Sequence, residues 1–585
     1  MATLRELFAE RLSRALGDRF PDVKPEVVPT ADARHGDYQS NVAMLLAKKA
    51  GVAPRALAQE IVDALEVSDL AEPPQIAGPG FLNFRLRPEF LARRTRELLD
   101  DPKLGAGLTG RAKKMVIDFS SPNVAKSMHV GHIRSTILGD AISRIAEFLG
   151  HDVVRDNHIG DWGTQFGMLL VGWKTDLNRE ALAAEPIAEM ERLYKKISAL
   201  CKEDESVQQA ARAELVKLQS GDGENLAIWK EMIRLSQTQF DSIYQRLGVR
   251  FDVTLGESFY NPWLKGVVAD LVARGIARES DGAICVFSDG SLPDKDDPFR
   301  VQRQGEWVDI PAIVQKEDGA ANYTTTDLAT LQYRLEKWAP DEIVYVTDGR
   351  QQLHFRQLFA IFRRWKGEAA SRVRLAHVWF GTILGEDNKP FKTRSGETIK
   401  LKDLLDEAEK RAFDLVRGKN PDLGESECRE IARIVGLGAI KYADLLPARQ
   451  SDYVFSWDRM LSFNGNTAPY LQYSSVRIRS IFRKLDGPFT PPETLTLTEP
   501  AEIALAKKLL QFGETVPLVL EEFRPNLLAN YLYELAGMFH SFFEACPVLK
   551  SEEPVRSSRL VLCELAARTI NRGLGLLGIE CPEKM

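Results

Sequence analysis

The stretch MVIDFSSPNVAKSMHVGHIRSTILGDAISRIAEFLGHDVVRD, residues 115–156, decides the fold. Its opening, MVIDFS, is short, apolar and partly β-branched, the pattern of a strand buried in a parallel sheet. A loop, SPNVAKSM, leads into a helix that starts near His129 and runs through IRSTILGDAISRIAEFLG, and DVVRD reads as the next strand. A strand–helix–strand crossover of this length belongs to a doubly wound α/β sheet. In such a sheet ligands bind beyond the carboxyl ends of the strands, where the N–H groups of a helix N-terminus attract phosphate. HVGH, residues 129–132, occupies that position. Its two imidazoles share a helix face about one turn apart, and Gly131 removes a side chain where a flat base or ribose could approach. Taken alone, HVGH also fits a zinc pair or two surface histidines, although HExxH is absent and no nearby third ligand stands out.

Farther along, residues from about 170 to 250 are helical and charged, and residues from about 275 to 325 are strand-like. EIVYVTD (342–348) and RLAHVWFG (374–381) are two further strands, so the nucleotide-binding sheet comes in halves separated by a long insertion, read as helical overall, at about 170–320. After the last strand comes FKTRSGET, residues 391–398. Its Lys392, Thr393, Arg394 and Ser395 could surround a polyphosphate with cations and hydroxyls, or form an ordinary basic surface loop. Acidic and amide groups gather around the same strand ends. Asp118 closes the first strand, Asn123 follows in the loop, Tyr323 and Asp327 lie four apart in YTTTD, and Gln351 follows EIVYVTD. Each could be a cap or a solvated side chain, and Asp327 in particular could close a helix end. Together they could hold a cationic, amino-bearing substrate.

The flanks differ in kind. Residues 1–110 read as a small α+β module and a linker, with IAGPGFLNFRL (76–86) as a strand turned by Gly78 and Gly80. Residues 456–585 are almost wholly helical in pattern and form a bundle, leaving 111–455 for the sheet domain. Several domains suit 585 residues that are 44% hydrophobic and 27% charged. The net charge of −6 argues against a dedicated nucleic-acid-binding chain, so any such contact must come from local basic stretches. The six cysteines are scattered without a CxxC pair, which argues against structural zinc and a disulfide framework. No apolar run reaches the ~18–20 residues needed to cross a bilayer. MATLRELFAERLSRAL, residues 1–16, is an amphipathic helix containing acids and lacks the apolar core of a secretory signal.

At this point the motifs resemble a family. HVGH resembles the HIGH signature of class I aminoacyl-tRNA synthetases, and FKTRS stands where their KMSKS loop belongs. The longer runs DFSSPNVAKSMHVGHIRSTILGD (118–140), NHIGDWGTQFG (157–167), YTTTDLA (323–329), LGEDNKPFKTRSGETIKL (384–401) and SDYVFSWDRMLSFNGNTAPYLQY (451–473) are similar to the arginyl members. HGDYQSNVAMLLAKK, residues 35–49, resembles their extra N-terminal domain. The resemblance implies a Rossmann-type α/β catalytic domain with an insertion, an N-terminal domain that meets the tRNA elbow, and an all-α anticodon-binding bundle.

It also implies roles. His129 and His132 would contact ATP and its phosphates, Gly131 would admit the adenosine, and Lys392, Thr393, Arg394 and Ser395 would form the phosphate loop. Asp118, Asn123, Tyr323, Asp327 and Gln351 would line the arginine pocket, with Asp327 on the guanidinium. In the bundle, Tyr470, Tyr473, Arg477 and Arg479 offer stacking and hydrogen-bonding groups to tRNA, although both tyrosines also suit a core. Two departures stand out. Arg394 replaces the second lysine of KMSKS, and Lys126 is expected to supply the missing ammonium; Asp118 stands where the family often has glutamate. The implied partners are tRNA, L-arginine and ATP with Mg²⁺, with no structural metal and no membrane, in a cytoplasmic monomer. No editing domain is expected, because a site built on polar contacts to five guanidinium donors can reject analogues by ~10⁴–10⁵. Three alternatives remain at this stage: another class I synthetase, a tRNA-binding factor without catalysis, or an HxxH metalloenzyme.

Overall fold

The computed structural model describes residues 2–108, 110–391, 398–485 and 487–585. The chain begins with a helix, Leu4–Leu16, closed by a reciprocal capping box between Thr3 and Glu6. Leu4, Phe8, Leu12 and Leu16 form its buried stripe, and Phe8 stacks on Phe84 of a four-stranded antiparallel sheet. The stretch 76–86, expected as a strand turned by Gly78 and Gly80, forms with Gln75 a hairpin of Gln75–Ala77 and Phe81–Phe84 with its turn at those glycines. Its reversal uses Gly80 at φ 143°, where a Cβ would lie 3.0 Å from the carbonyl oxygen of Pro54.

The central sheet has five parallel strands, which we label β1 (Lys114–Asp118), β2 (Asp152–Asn157), β3 (Val253–Thr254), β4 (Glu342–Tyr345) and β5 (Arg374–His377). Their spatial order is β5-β4-β1-β2-β3. The winding therefore reverses between β1 and β4, and the crevice at that switch point opens beside Asp118 and Tyr345. The helices that shape the crevice are α1 (Val130–Leu149), α2 (Pro186–Glu203) and α3 (Tyr323–Trp338). Helix α1 is buried for most of its length, as the middle element of the crossover must be.

The insertion has two characters. Residues up to Leu247 are helical, whereas the segments Ala277–Ser280, Ala283–Val286 and Ala312–Gln315 form an antiparallel sheet accompanied by the hairpin Arg300–Arg303 and Glu306–Asp309. A wholly helical insertion over 170–320 is thus corrected: the second part follows the β-type pattern of its sequence. The last domain is a helical bundle that includes α4 (Ala468–Phe482) and α5 (Val555–Leu576). A buried pair within the sheet domain ties α1 to a later helix: Arg134 pairs with Asp444 at 2.9 Å. Two contacts join the N-terminal module to the bundle: half-buried Lys507 pairs with Asp37 at 2.6 Å, and the buried Tyr38 hydroxyl donates to Glu514 at 3.1 Å.

Candidate active site

The two histidines cap α1 reciprocally. The Gly131 N–H donates to His129 Nδ1 at 3.1 Å, and the His129 N–H donates to His132 Nδ1 at 3.1 Å. The ring centroids lie 4.0 Å apart. A ring that accepts at Nδ1 carries its proton on Nε2 when neutral, so both rings keep an Nε2–H donor. Burial holds His129 below the usual histidine range, helped by the nearby charges of Arg350 and Lys126. Burial and the neighbouring His129 push His132 down to about 3. Two neutral N–H donors therefore stand at a helix N-terminus, which is an anion-stabilising arrangement. The space beside Gly131 is occupied by the ring of His129: a Cβ there would lie 2.9 Å from His129 Cε1. A glycine here thus leaves room for the His129 ring.

The loop before the helix is held in unusual backbone geometry. Ser120, Ser121 and Ala125 all have positive φ, at 72°, 49° and 60°. Ser120 is fixed from below by Ser135, whose hydroxyl accepts the Ser120 N–H at 2.8 Å and donates to the Val346 carbonyl at 2.6 Å. Gly139 lets the Phe119 ring sit against α1, since a Cβ would meet that ring at 2.2 Å. Asn123 lies over Gly160, where a Cβ would be 2.2 Å from its Oδ1, and the Val124 N–H donates to the Gly160 carbonyl at 3.0 Å. The glycine of NHIGDWG is therefore explained by the position of Asn123.

The expected arginine-pocket residues divide into two groups. Asp118 is buried, and its carboxylate accepts from Arg334 Nη2 at 2.5 Å and from the Ser121 hydroxyl at 3.0 Å. Arg334 also pairs with Asp156 at 2.9 Å, and both are completely buried. Asp118 is therefore part of an internal ion triad with Arg334 and Asp156. Asp327 is different. It lies in the second turn of α3, whose cap is Asn322, so it is not a helix-end residue. Its Oδ2 is 2.6 Å from His354 Nε2, and the His354 ring meets Tyr323 edge-on at 4.8 Å. Tyr323 is exposed, as is Gln351, which ends the 3₁₀ turn Gly349–Gln351 after β4. Glu257 was not anticipated. Burial, reinforced by the charges of Asp327 and Asp161, raises its carboxyl to about 7. His354 was also missed; it follows the DGRQQL turn in the sequence, and only the fold brings it to Asp327.

Lys126 is exposed, with its Nζ 5.5 Å from the ring centre of Tyr194 on α2. Lys392, Thr393, Arg394 and Ser395 lie outside the described residues. Their described flanks are anchored: Phe391 stacks on Phe455 at 4.5 Å, and the Val130 N–H donates to the Ile399 carbonyl at 2.9 Å. On α4, Tyr470, Tyr473 and Arg477 follow one helical face, and the Arg477 guanidinium lies 5.8 Å from the Tyr473 ring centre. Arg479 does not join them. It pairs with Glu564 of α5 at 3.2 Å and lines a cavity on the other side, because two residues turn a helix by about 200°. The segment leading into α4 walls a separate cavity of about 630 Å³ that includes Tyr442, Asp458, Arg459 and Asn466. Among the described residues, no group of three or more His, Cys, Asp or Glu side chains is arranged to hold a metal ion.

Comparisons with known proteins agree along the whole chain. Residues 95–457 match the family of class I (R) tRNA synthetase catalytic domains, 471–585 the DALR anticodon binding domain, and 2–86 the arginyl tRNA synthetase N-terminal domain. An arginine–tRNA ligase of Laribacter hongkongensis is 46% identical over 100% of both chains. The arginyl-tRNA synthetase structures of Plasmodium falciparum and Thermus thermophilus superpose with TM-scores of 0.83 each, at 29% and 27% identity, over 100% of both chains. With every domain matched in order, the chain belongs to the class I arginyl-tRNA synthetase family.

Proposed function

We propose that the chain activates L-arginine with ATP at the β1–β4 crevice and transfers it to the terminal adenosine of its tRNA. The observation that carries this reading is the pairing of two neutral Nε2–H donors at the start of α1 with the acidic group around Asp327. One side suits phosphate and the other suits a guanidinium. The arginine carboxylate attacks the α-phosphorus of ATP in line, pyrophosphate leaves, and arginyl-adenylate forms. The terminal 2′-hydroxyl then attacks the adenylate carbonyl and AMP leaves. No protein nucleophile is required, so catalysis rests on positioning and charge stabilisation.

His129 and His132 donate to the phosphates, and Lys126 adds the ammonium that Arg394 does not reproduce. Lys392, Thr393 and Ser395 complete the phosphate side. Asp327, held by His354, faces the guanidinium, with Tyr323 beside it, while Asn123 and Gln351 orient the substrate's α-groups. Asp118 acts through Arg334 and Ser121. ATP enters as its Mg²⁺ complex, with the ion carried by the phosphates. The bundle reads the anticodon, with Tyr470, Tyr473 and Arg477 on one face of α4. The resemblance further supports a cytoplasmic monomer; no described helix is long and apolar enough to cross a membrane.

Incubation of the protein with labelled arginine, MgATP and arginine tRNA should give charged tRNA, with no other amino acid accepted. Charging with a different amino acid would overturn the substrate assignment. Binding of tRNA without any charging by folded protein would favour a tRNA-binding factor instead.

A further inference from the structure

Away from the catalytic crevice, a cavity of about 690 Å³ lies where the linker, α1, α4 and α5 meet. Arg144 of α1, Arg479 of α4, and Arg568 and Arg572 of α5 line it. Arg144 stands fifteen residues beyond His129 on one helix, about 22 Å away at 1.5 Å per residue, so the cavity is separate from the histidines. A second cavity of about 550 Å³ shares Arg144, Asn571 and Gly575 with it.

The arginines are unequally neutralised. Arg144 pairs with Asp140 at 2.6 Å, and Arg479 pairs with Glu564 at 3.2 Å. Among the described lining residues the one carboxylate, Glu147, already accepts from Arg155 at 2.5 Å and from Arg250 at 2.9 Å. Among the described residues, Arg568 donates to main-chain carbonyls alone, those of Leu99 at 2.5 Å and Asp101 at 3.4 Å. Arg572 lies 5.4 Å from the ring centre of Phe148 and has no carboxylate partner among the described residues. Two guanidiniums thus reach one concavity without a counter-charge, beside an aromatic ring and in a volume typical of small-ligand sites, about 300–1,000 Å³. Guanidinium groups in such an arrangement match phosphate best, because their paired N–H donors fit its oxygens.

We propose that this junction cavity binds a phosphate-bearing anion through Arg568 and Arg572, at a site distinct from the catalytic one. The phosphate could be free, as in an oligophosphate or nucleotide, or belong to the backbone of bound tRNA.

The test uses the full chain with its catalytic pocket filled by a non-hydrolysable arginyl-adenylate analogue. Calorimetric titration with inorganic tripolyphosphate should reveal binding that Arg572→Ala weakens by about tenfold or more, the loss of one charged contact. Arg572→Lys should retain part of it, and the surface control Arg429→Ala should leave it unchanged. Because Arg572 is exposed, its replacement leaves the fold intact, whereas Arg568→Ala also releases the linker and serves as a second variant checked by thermal melting. A parallel titration with arginine tRNA separates the sources. If the tRNA backbone is the ligand, Arg572→Ala weakens tRNA binding, lowers its salt slope by about one, and tripolyphosphate competes. If only tripolyphosphate binding falls, the ligand is a free phosphate compound. Unchanged binding of both ligands in the folded Arg572→Ala protein overturns the proposal, and charging activity itself does not enter the test.

Discussion

The main-chain N–H of His129 points at Nδ1 of His132, 3.1 Å away, while Gly131 returns the same bond to His129. Each histidine thus uses one nitrogen to cap the helix and keeps the other as a donor. This gives His132 a function beyond capping that a substitution can isolate. His132→Asn preserves an acceptor near the cap but removes the distal N–H, and should lower arginine activation by about 10²–10³. Arginine binding, measured directly, should change little. A matched loss of binding and rate would instead assign His132 to structure alone.

The same residue predicts a pH effect on stability. Its folded value of about 3 lies below the ordinary 6.5. The unfolded chain therefore takes up a proton first as pH falls, and stability drops between about pH 6.5 and pH 3. At pH 5 the contribution amounts to about 2 kcal/mol relative to pH 7. Denaturant titrations at both pH values should show a smaller difference in His132→Asn than in wild type. An identical difference would place the titration elsewhere.

Asp118 and Asp327 should respond oppositely to the same replacement. Asp118→Asn leaves Arg334 and Asp156 buried with poorer compensation and should cost about 3–5 kcal/mol of stability. Asp327→Asn keeps a hydrogen-bonding shape beside His354 but loses the charge that faces the guanidinium. It should raise the KM for arginine by about 10²-fold with little change in thermal midpoint. Steady-state kinetics and melting of the two variants distinguish the roles, and a purely kinetic defect in Asp118→Asn would contradict the triad assignment.

Lys126→Ala should reduce adenylate formation by about 10²-fold while leaving tRNA affinity near wild type. Pyrophosphate exchange and filter binding provide the two readings. Unchanged exchange would remove Lys126 as the substitute for the lysine missing from the phosphate loop.

The legible part of this molecule was what repeats locally. The parallel strands, the long helix after HVGH and the helical bundle follow from apolar periodicity, and the site position follows from the rule that parallel sheets bind at their carboxyl ends. The illegible part depends on residues far apart in the chain. The ion pair of Asp118 was not legible because Arg334, its partner, lies 216 residues away. Glu257 and His354 gave no local pattern, since only folding brings them to Asp327. The separate face of Arg479 was readable: helical periodicity alone sets it away from Tyr470, Tyr473 and Arg477. The insertion was half readable, its later residues being β-type in sequence and β in structure.

The most direct test of the central claim is arginine-dependent ATP–pyrophosphate exchange, with and without arginine tRNA, in wild type and His132→Asn. The account predicts exchange that appears only when arginine and arginine tRNA are both present, not with lysine or citrulline, and that is about 10²–10³-fold slower in the variant. Exchange with arginine alone would keep the activity and reject the coupling to tRNA. No exchange from folded wild-type protein under either condition would contradict the assignment of the β1–β4 crevice as an arginine-activating site.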